Sequence, residues 1–405
     1  MAKKVILQPS RTLAEFRLLP GLTTGDSTVD KIRLRTPLVY SPEDEEGIHL
    51  NTPVVASAMQ SVSGEEMGIA MAKQGGVATI FCSQTPEDQA TMVRKVKNHR
   101  AGFVEPLTVS GTATISELDR SCRETGYSNI PVVDDEGFFL GLVTRRDYDV
   151  QTHGKLAVAQ RMIPSERLDL GVNIDSLSEA KSLLNESHQS VLPIVDQDGR
   201  LKSLVFKKDV QENLNNPLQV VDGNQRLLSL ASINTLDFRE RVPALVDAGV
   251  DALAIDSSDG HSSYQSECLT WLGKNYPKMP VIGGNIITRE GFDYLVSHGA
   301  RAVKVGMGGG SICITQEQKG TGRGLATTII EVASARDEYH RNTGKYIPII
   351  ADGGVVTAKD VVVGLALGAD LMMMGRFLAR MEESPTEKVM INNRVMKPYW
   401  GEGSQ

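Results

Sequence analysis

Short segments that are apolar at almost every position recur along the first and last parts of the chain. Four of them follow a glycine and share one pattern, at residues 75–80 (GGVATI), 248–256 (AGVDALAID), 298–306 (HGARAVKVG) and 367–375 (LGADLMMMG). Two more, at 280–285 and 348–354, begin with proline. Continuously apolar strands are typical of a parallel sheet covered by helices on both faces. Their alternation with helical patterns over 50–100 and 226–385 predicts an α/β fold, a (β/α)8 barrel interrupted in its middle.

The interruption contains a different pattern, and this pattern occurs twice. Residues 129–147 show two strands around an acidic-glycine turn, and residues 191–209 repeat them with a constant offset of 62 residues. Each copy predicts strand, turn, strand and then a helix that begins with two basic residues and an aspartate. A further helix precedes each copy, at Ile115–Thr125 and at 176–187. Constant spacing over two copies indicates a duplicated βαββα unit.

The composition fits a soluble protein of more than one domain. A chain of 405 residues exceeds one ordinary domain, and 40% hydrophobic with 23% charged residues describe a globular protein with a sizeable core. A net charge of −7 argues against a general electrostatic hold on nucleic acid. The four cysteines include no CxxC pair, which predicts neither a disulfide framework nor a zinc site and favours the cytoplasm. We find no signal-peptide pattern and no run of 18 apolar residues, so we expect no membrane span.

The chemistry of a barrel enzyme gathers at the carboxyl ends of its strands. In this chain the positions that follow the apolar segments are mostly small, polar or glycine: Ser57, Met59, Asp256, Ser257, Ser258, Asn285, residues 306–315, residues 352–354, Gly375 and Arg376. Side chains of this kind predict a binding site for a polar, phosphate-bearing ligand.

Two parts of such a ligand have candidate partners. Glycine turns late in the barrel, at 353–354 and at Gly375, are where backbone N–H groups bind phosphate in this fold, with Ser311 and Arg376 as further donors. A glycine pair that only turns the strand is the alternative. Asp256 and the two serines after it are suited to bind the hydroxyls of a ribose. No GxGxxG fingerprint opens a βαβ unit, so a dinucleotide would bind without a Rossmann domain.

One of these loops carries a cysteine. Residues 306–315 (GMGGGSICIT) place Cys313 at the end of a glycine-rich turn that follows an apolar strand. A cysteine in this position is a nucleophile where N–H dipoles or a cation stabilise its thiolate, and a small buried core residue is the alternative. The carbonyls of Gly308, Gly310 and Cys313 are also suited to surround a monovalent cation.

These motifs carry a resemblance to one family. Residues 303–315, 255–260 (IDSSDG), 351–354 (ADGG) and 399–404 (YWGEGS) resemble the motifs of the inosine-5′-monophosphate (IMP) dehydrogenase and GMP reductase family, and the cysteine loop resembles its dehydrogenase branch. The similarity covers nearly the whole chain. The duplicated unit resembles a tandem pair of cystathionine-β-synthase (CBS) motifs, a Bateman module. The N-terminal stretch and residues 374–377 look closest to a divergent branch found in protists and bacteria.

The resemblance implies domain bounds and an activity. Residues 1–104 would hold the N-terminal segment and the first part of the catalytic barrel, 105–215 the CBS pair, and 216–405 the rest of the barrel. The activity would be the NAD-dependent oxidation of IMP to xanthosine 5′-monophosphate (XMP), the committed step of guanine nucleotide biosynthesis, in a cytoplasmic homotetramer. CBS pairs commonly bind adenine or guanine nucleotides, and an insert without a ligand is the alternative.

The resemblance also implies a role for each site residue. Cys313 would attack C2 of the hypoxanthine ring and form a covalent thioimidate while hydride passes to NAD, and Thr315 would position the hydrolytic water. The substrate would be bound by Ser57, Met59, Ser311, Asp352, Gly353, Gly354, Gly375, Arg376, Tyr399, Gly401, Glu402 and Gly403. NAD would be bound by Asp256, Ser257, Ser258, Asn285, Gly306 and Gly308. Potassium (K+) would be bound by the carbonyls of Gly308, Gly310 and Cys313.

Two departures from the family and two alternatives accompany this interpretation. In the family a mobile flap with an Arg-Tyr pair follows the GEGS motif, and the sequence given ends there at Gln405, which predicts hydride transfer with slow release of the adduct. Leu236 stands where close relatives carry an arginine, so the adenine end of NAD has no assigned partner.

GMP reductase shares the barrel, the nucleophile and the phosphate loops, although the SICIT sequence fits the dehydrogenase better. A catalytically silent, nucleotide-sensing or filament-forming homologue is the other alternative.

Overall fold

The computed structural model describes residues 9–40, 47–99, 102–104 and 106–401 of the chain. The chain divides into two compact units. The first comprises Met1–His99, Leu218–Asp222 and Leu227–Gln405, and the second comprises Arg100–Pro217 and Gly223–Arg226. The second unit is therefore an insertion within the first.

Eight parallel strands of the first unit close into a barrel. They are β1 (Val54–Ala56), β2 (Val77–Ile80), β3 (Leu230–Ile233), β4 (Ala252–Ile255), β5 (Val281–Ile286), β6 (Ala302–Val305), β7 (Ile349–Asp352) and β8 (Leu371–Met374). Each strand pairs with the next along the chain, and β8 pairs with β1 to close the barrel. Strand β2 pairs with β3 although the second unit separates them in sequence. The predicted (β/α)8 barrel is confirmed.

Helices follow the strands and cover the barrel. They are α1 (Glu65–Lys73), α2 (Pro86–Lys97), α3 (Phe238–Asp247), α4 (Ser263–Asn275), α5 (Arg289–Ser297), α6 (Thr315–Lys319), α7 (Leu325–Thr343) and α8 (Ala358–Ala366). Side-chain caps begin several of them: Thr85 accepts from the N–H of Asp88 on α2, and Thr357 forms a capping box with Asp360 on α8. Both α6 and α7 follow β6, so a long loop separates this strand from its covering helix. Within the described ranges, no helix has the length and apolar character needed to cross a membrane.

The barrel strands are buried on both faces, as their continuous apolar pattern predicts. Every residue of β2, β3, β4, β6 and β8 is buried. Burial of this kind stabilises the fold by about 25 cal/mol for each Å² of apolar surface removed from water. Polar side chains that enter this core need a partner, and Ser232 donates its hydroxyl hydrogen to the carbonyl of Ile80 at 3.1 Å.

Two hairpins belong to the first unit outside the barrel. Thr36–Val39 pairs in antiparallel fashion with Ile48–Leu50, and Val389–Ile391 pairs with Arg394–Met396. The two asparagines between the last two strands have φ angles of 48° and 57°. Left-handed backbone at both positions is what a type I′ turn requires, and asparagine tolerates it better than most residues. Short 3-10 helices lie at Leu13–Glu15, Val29–Lys31 and Leu378–Arg380.

The second unit contains two similar four-stranded sheets. One contains, in spatial order, Val109–Ser110, Asn129–Val133, Phe139–Thr144 and Ile163–Pro164, and the other contains Gly171–Val172, Val191–Val195, Leu201–Phe206 and Phe103–Val104. In both sheets the first pair of strands is parallel and the next two pairs are antiparallel. The first three strands of the two sheets correspond with an offset of 62 residues, so the duplication in the sequence is also a duplication of structure.

The fourth strand of each sheet comes from the segment that precedes the other copy. Phe103–Val104 precedes the first copy in sequence but pairs with Leu201–Phe206 of the second. Ile163–Pro164 precedes the second copy but pairs with Phe139–Thr144 of the first. This exchange of edge strands links the two copies through backbone hydrogen bonds. The outer strand of each sheet is the one that precedes the other copy in sequence.

The helices of this unit are Ile115–Thr125, Val150–His153, Leu177–Glu186 and Lys207–Asn215. In the second copy the basic-basic-aspartate sequence forms the first turn of Lys207–Asn215, as predicted. In the first copy that prediction is wrong. The carboxylate of Asp147 accepts from the N–H of Thr144 at 2.6 Å and closes a turn, so the helix begins only after Asp149, which caps it.

A buried lysine connects the point where the chain leaves the barrel with the point where it returns. Lys97 is the last residue of α2, and its side chain is 1% exposed. Its ammonium donates to both carboxylate oxygens of Asp251 at 2.9 and 2.7 Å and lies 2.8 Å from the carboxylate of Asp222 on the returning segment. Burial raises the pKa of Asp251, and Lys97 opposes this shift. The lysine therefore supplies the counter-charge that two buried carboxylates need.

Replacing Lys97 by methionine is expected to lower the free energy of unfolding by about 3–5 kcal/mol, because Asp222 and Asp251 would lose their buried counter-charge. The matched control is Lys95→Met on the same helix, where the ammonium pairs with Glu65 at the surface at 2.6 Å. That change is expected to cost about 0–1 kcal/mol. Urea denaturation measures both, and equal losses would contradict a special contribution of Lys97.

Candidate active site

A cleft with a volume of about 870 Å³ lies at the carboxyl ends of the barrel strands. The predicted site residues that line it are Ser57, Met59, Asp256, Ser257, Ser258, Asn285, Gly306, Gly308, Gly310, Ser311, Cys313, Thr315, Asp352, Gly353, Gly354, Gly375, Arg376, Tyr399 and Gly401. Two others, Glu402 and Gly403, lie outside the described residues. The fold thus brings together side chains that are more than 300 positions apart in sequence, while their binding roles stay predictions.

The cleft also contains residues that have no predicted role. They are Ala58, Lys304, Gln318, Val355, Val356 and Met373. A lysine within an otherwise apolar strand is a signal that could have pointed to Lys304. Gln318 is an exposed polar residue of α6, and the alanine, valines and methionine next to the strands are ordinary core residues, so none of these carries a comparable pattern.

Glycines allow the loop after β6 to pass close to neighbouring groups. Gly306 has a φ of +124°, and a Cβ on it would overlap the carbonyl oxygen of Asp352. Gly308 has a φ of +76°, and a Cβ there would overlap the side chain of Gln316, whose amide donates to the carbonyl of Met307 at 3.0 Å. A larger residue at Gly306 would push the loop away from strand β7, and one at Gly308 would displace the side chain of Gln316.

Cys313 is the exposed cysteine of the chain, and the buried ones are Cys82, Cys122 and Cys268. Its thiol donates to the hydroxyl oxygen of Thr315 at 3.2 Å, and its backbone N–H donates to the carbonyl of Gly310 at 3.0 Å. Thr315 is the first residue of α6. The thiol therefore lies in the cleft beside a hydroxyl group, and the alternative of a buried core cysteine is wrong for this position.

Two carboxylates of the cleft share a network with a buried ammonium. The side chain of Lys304 is 2% exposed, and its Nζ lies 3.3 Å from Oδ1 of Asp256. The amide of Asn285 donates to Asp352 at 2.8 Å and to the carbonyl of Gly306 at 2.9 Å. The oxygen of that amide, Oδ1, is buried and accepts no hydrogen bond from the described part of the chain. It is therefore an acceptor available to a ligand.

The pKa shifts in this network have opposing causes. Burial raises the pKa of Asp352, and the charge of Lys304 together with the hydrogen bond from Asn285 opposes the shift. For Lys304, burial lowers the pKa, but the carboxylates of Asp256 and Asp352 outweigh it, so the pKa lies above its ordinary value. Lys304 therefore stays charged at neutral pH and opposes the effect of burial on Asp352.

The glycine pair after β7 lies against the glycines of the cysteine loop. Gly353 and Gly354 have φ angles of +95° and +74°. A Cβ on Gly353 would lie 3.2 Å from the backbone nitrogen of Gly310, and one on Gly354 would lie 3.2 Å from the carbonyl oxygen of Gly309. A side chain on either glycine would crowd the other loop, and all four glycines line the cleft.

Tyr399 reaches the same end of the cleft from the C-terminal segment. A Cβ on Gly375 would lie 2.8 Å from the hydroxyl of Tyr399 and 3.0 Å from that of Ser57. The Ser57 hydroxyl is buried and has no hydrogen-bond partner among the described residues. Burial, followed by the charge of Asp352, raises the pKa of Tyr399, so its hydroxyl stays protonated at neutral pH. The hydroxyl of Tyr399 donates to the sulfur of Met59 at 3.7 Å, so the hydroxyl of Ser57 is the unpartnered donor beside this glycine turn, and it suits an anionic oxygen.

The fold and this cleft define a (β/α)8-barrel enzyme with an exposed cysteine among glycine-rich loops. A model of the IMP dehydrogenase / GMP reductase domain matches residues 10–405. The inosine-5′-monophosphate dehydrogenase of Tritrichomonas foetus is 46% identical over 404 residues, which are 98% of this chain and 80% of that protein. The enzyme of the same name from Schizosaccharomyces pombe is 37% identical over 98% of this chain and 74% of that protein. The chain belongs to the IMP dehydrogenase / GMP reductase family.

Solved structures show the same architecture. A crystal structure of GMP reductase from Trypanosoma brucei in complex with guanosine 5′-monophosphate has a TM-score of 0.78 and 28% sequence identity, and covers 96% of this chain and 81% of that one. A structure of that reductase in complex with guanosine 5′-triphosphate has a TM-score of 0.76 at 28% identity, over 94% of this chain and 89% of that one. These structures share the fold of the chain and bind guanine nucleotides.

Iodoacetamide is expected to label Cys313 alone under native conditions, because the other three cysteines are buried. Burial raises the pKa of Cys268 to about 12 and also raises that of Cys122, so both thiols stay protonated and unreactive at neutral pH. Peptide mass spectrometry identifies the labelled sites, with labelling in urea as the control in which all four should react. Native labelling of Cys82 or Cys268 ahead of Cys313 would contradict this description of the site.

Proposed function

We propose that this protein oxidises IMP to XMP with NAD, the committed step of guanine nucleotide biosynthesis. The observation that carries the proposal is the exposed thiol of Cys313 in a cleft lined by hydroxyl, carboxylate and glycine groups. Relatives named inosine-5′-monophosphate dehydrogenase, at 34–46% identity over 98–100% of the chain, support the choice of substrate.

IMP is proposed to bind at the side of the cleft formed by β1, β7 and β8. Its phosphate would be bound by Ser311, Gly353, Gly354, Gly375 and Arg376, and its ribose by Asp352. Ser57 and Met59 would line the base, and Tyr399, Gly401, Glu402 and Gly403 would close over phosphate and base. The unpartnered hydroxyl of Ser57 and the backbone groups at the glycine turns support this placement, because a buried donor without a partner is costly unless a ligand satisfies it.

Cys313 is the proposed nucleophile. Its sulfur forms a bond to C2 of the hypoxanthine ring and loses its proton to solvent, and the hydrogen on C2 leaves as a hydride, for which NAD is the acceptor. The substrate is then a thioimidate on Cys313. Water adds at C2, the C–S bond breaks, the sulfur regains a proton, and XMP is released. Thr315, whose hydroxyl lies 3.2 Å from the sulfur, is placed to hold that water.

The opposite side of the cleft fits the nicotinamide riboside of NAD. The residues proposed to hold it are Asp256, Ser257, Ser258, Asn285, Gly306 and Gly308. The buried oxygen of Asn285, which has no partner among the described residues, suits an N–H donor such as a carboxamide. Asp256, whose Oδ1 lies 3.3 Å from the ammonium of Lys304, suits ribose hydroxyls. Both groups are acceptors that a polar ligand would satisfy.

The cysteine loop also fits a potassium ion. The carbonyls of Gly308, Gly310 and Cys313 are proposed as its ligands, and neutral oxygens of this kind suit a hard monovalent cation. The carbonyl of Gly310 accepts the N–H of Cys313 at 3.0 Å, which leaves its second lone pair for a cation. A cation held by these oxygens would order the loop that carries the thiol.

We further propose that the inserted unit, predicted at residues 105–215, is a tandem CBS pair that binds adenine or guanine nucleotides. The predicted boundary after residue 104 is corrected by the structure, because Phe103–Val104 pairs with Leu201–Phe206 and so belongs to the inserted unit rather than to the barrel. The duplicated sheets and the exchange of their edge strands support this proposal. A cytoplasmic homotetramer is proposed from the family resemblance.

Mixing the protein with IMP, NAD and potassium is expected to produce a burst of NADH near one equivalent per Cys313 site, because hydride transfer precedes hydrolysis. Rapid-mixing absorbance measures the burst, and intact mass spectrometry detects the adduct. Cys313→Ala is expected to abolish both signals. Cys268→Ala, which removes a buried thiol of α4, is the matched control and is expected to retain them.

Absence of NADH formation from IMP at saturating ligands, both in the burst and in the steady state, would contradict the proposal. GMP reductase is the second candidate function, because the reductase of Trypanosoma brucei superposes on this chain with a TM-score of 0.78. Oxidation of NADPH on addition of GMP, without NADH formation from IMP, would favour that activity. A burst that is not followed by turnover would mean that hydrolysis needs a group beyond the thiol and Thr315.

Replacing potassium by choline at equal ionic strength is expected to lower the steady-state rate roughly tenfold, equivalent to about 1.4 kcal/mol of transition-state stabilisation. The reason is that the carbonyls of the cysteine loop would repel one another without a cation between them. Steady-state NADH formation in the two salts measures the effect. An unchanged rate in choline chloride would remove the cation from the proposal while leaving the role of Cys313 intact.

A further inference from the structure

A short N-terminal segment of the first unit lies against the helix that follows the cysteine loop. We call residues 10–13 (SRTL) the N-terminal strap. The hydroxyl oxygen of Ser10 accepts from the N–H of Gly324 at 2.6 Å. The N–H of Arg11 donates to the hydroxyl of Thr327 at 2.7 Å, and the N–H of Thr327 donates to the carbonyl of Arg11 at 3.2 Å. The strap therefore binds the first turn of α7 by three hydrogen bonds.

These contacts explain why residue 324 is a glycine. Gly324 has φ −60° and ψ 133°, which any residue can adopt, so its backbone conformation does not require glycine. A Cβ at this position would overlap the carbonyl of Arg11 and lie 2.7 Å from its backbone nitrogen. The N–H groups at a helix start also lack partners within the helix, and Ser10 supplies one from outside. The glycine is needed because the strap is there.

The strap continues to the first turn of a second helix. Leu13 is buried, and its carbonyl accepts from the ammonium of Lys359 on α8 at 3.3 Å. Thr12 and Glu15 form a capping box that fixes the 3-10 helix at Leu13–Glu15. Helix α7 follows the cysteine loop and α8 follows the glycine pair after β7. The strap is thus attached to the helices that end both loops of the cleft.

A chain of contacts leads from the strap to Cys313. Arg323, next to Gly324, forms a β-bridge with Met307 at the base of the loop. The guanidinium of Arg323 pairs with Glu331 at 2.6 Å and donates to the carbonyl of Ile287 at 3.0 Å, which fixes its position. Met307 in turn accepts from Gln316, the neighbour of Thr315 on α6. Displacing the strap would therefore disturb the loop base and, through it, the thiol.

We propose that the N-terminal strap is a positioning element of the cysteine loop: it anchors the returning end of the loop at Gly324 and so sets the place of the Cys313 thiol. The inference rests on the proposed function, since the loop matters for catalysis only if Cys313 is the nucleophile. No strap residue touches a ligand in this proposal, because Ser10 and Arg11 act through Gly324, Thr327 and the loop base.

Gly324→Ala tests the inference from a position that does not itself line the cleft. The new methyl group would displace the strap, and we expect kcat to fall roughly 10- to 100-fold, because small displacements of a reacting group cost that much. The KM for IMP should change less than kcat, since Ser311 is the one proposed phosphate or ribose partner that lies in the cysteine loop. Gly273→Ala in α4, where a Cβ meets nothing within 4 Å, is the matched control and should behave as wild type.

A second pair of variants separates loss of the hydrogen bond from loss of the fold. Thr327→Val keeps the shape of the side chain but removes the acceptor for Arg11, whereas Thr327→Ser keeps the acceptor. We expect the valine variant to lose kcat and the serine variant to retain it, with thermal unfolding of both near that of the wild type. If Gly324→Ala fails to fold, this pair still decides the question.

The rate at which iodoacetamide labels Cys313 gives a readout that needs no turnover. We expect Gly324→Ala and Thr327→Val to change that rate, and trypsin to cleave after Arg11 faster in both. Faster cleavage with unchanged labelling and unchanged kcat would overturn the inference. A wild-type protein that forms no NADH from IMP would instead overturn the proposed function, and the labelling rates would still report on the strap.

Discussion

The close approach of two backbone segments at the carboxyl end of the barrel is the constraint on which the cleft depends. The loops that follow β6 and β7 meet at Gly306 and Asp352, and again where Gly353 and Gly354 lie against residues 309–310. No Cβ fits at Gly306, so a glycine is required there, and backbone N–H and C=O groups take the place of side chains at the surface of the cleft. The surface of the cleft in this region is therefore formed largely by glycine backbone.

Two buried lysines act at opposite ends of the same barrel. At the amino ends of the strands, Lys97 pairs with Asp222 and Asp251. The N–H of Ser229 also donates to Asp251, so the hydrogen bonds of this carboxylate are made within the protein. At the carboxyl ends, the ammonium of Lys304 lies 3.3 Å from Oδ1 of Asp256, and both residues line the cleft. The first lysine supplies the counter-charge where the insertion begins and ends, and the second supplies one beside the cleft.

The barrel and the position of its cleft could be predicted because both follow from local patterns. Continuously apolar strands reveal burial on two faces, and the residues after them must share one edge of a parallel barrel. The contact between Ser10 and Gly324 joins positions 314 residues apart and has no local pattern. The turn at Asp147 was mispredicted for another reason: an aspartate after two arginines can cap a helix or close a turn, and only the fold decides which N–H its carboxylate reaches.

Anchoring at both ends is what allows the middle of the cysteine loop to be exposed. The loop leaves β6 at Gly306 against the backbone of Asp352, is closed by the bridge between Met307 and Arg323, and returns at Gly324 under the N-terminal strap. Between these points residues 316–321 are exposed to solvent. In the proposed reaction the thiol reacts first in a site that excludes water, and water must then reach the adduct. A loop with fixed ends and an exposed centre suits both steps. The strap and the glycines lie far apart in sequence, but in this proposal both fix the ends of the cysteine loop.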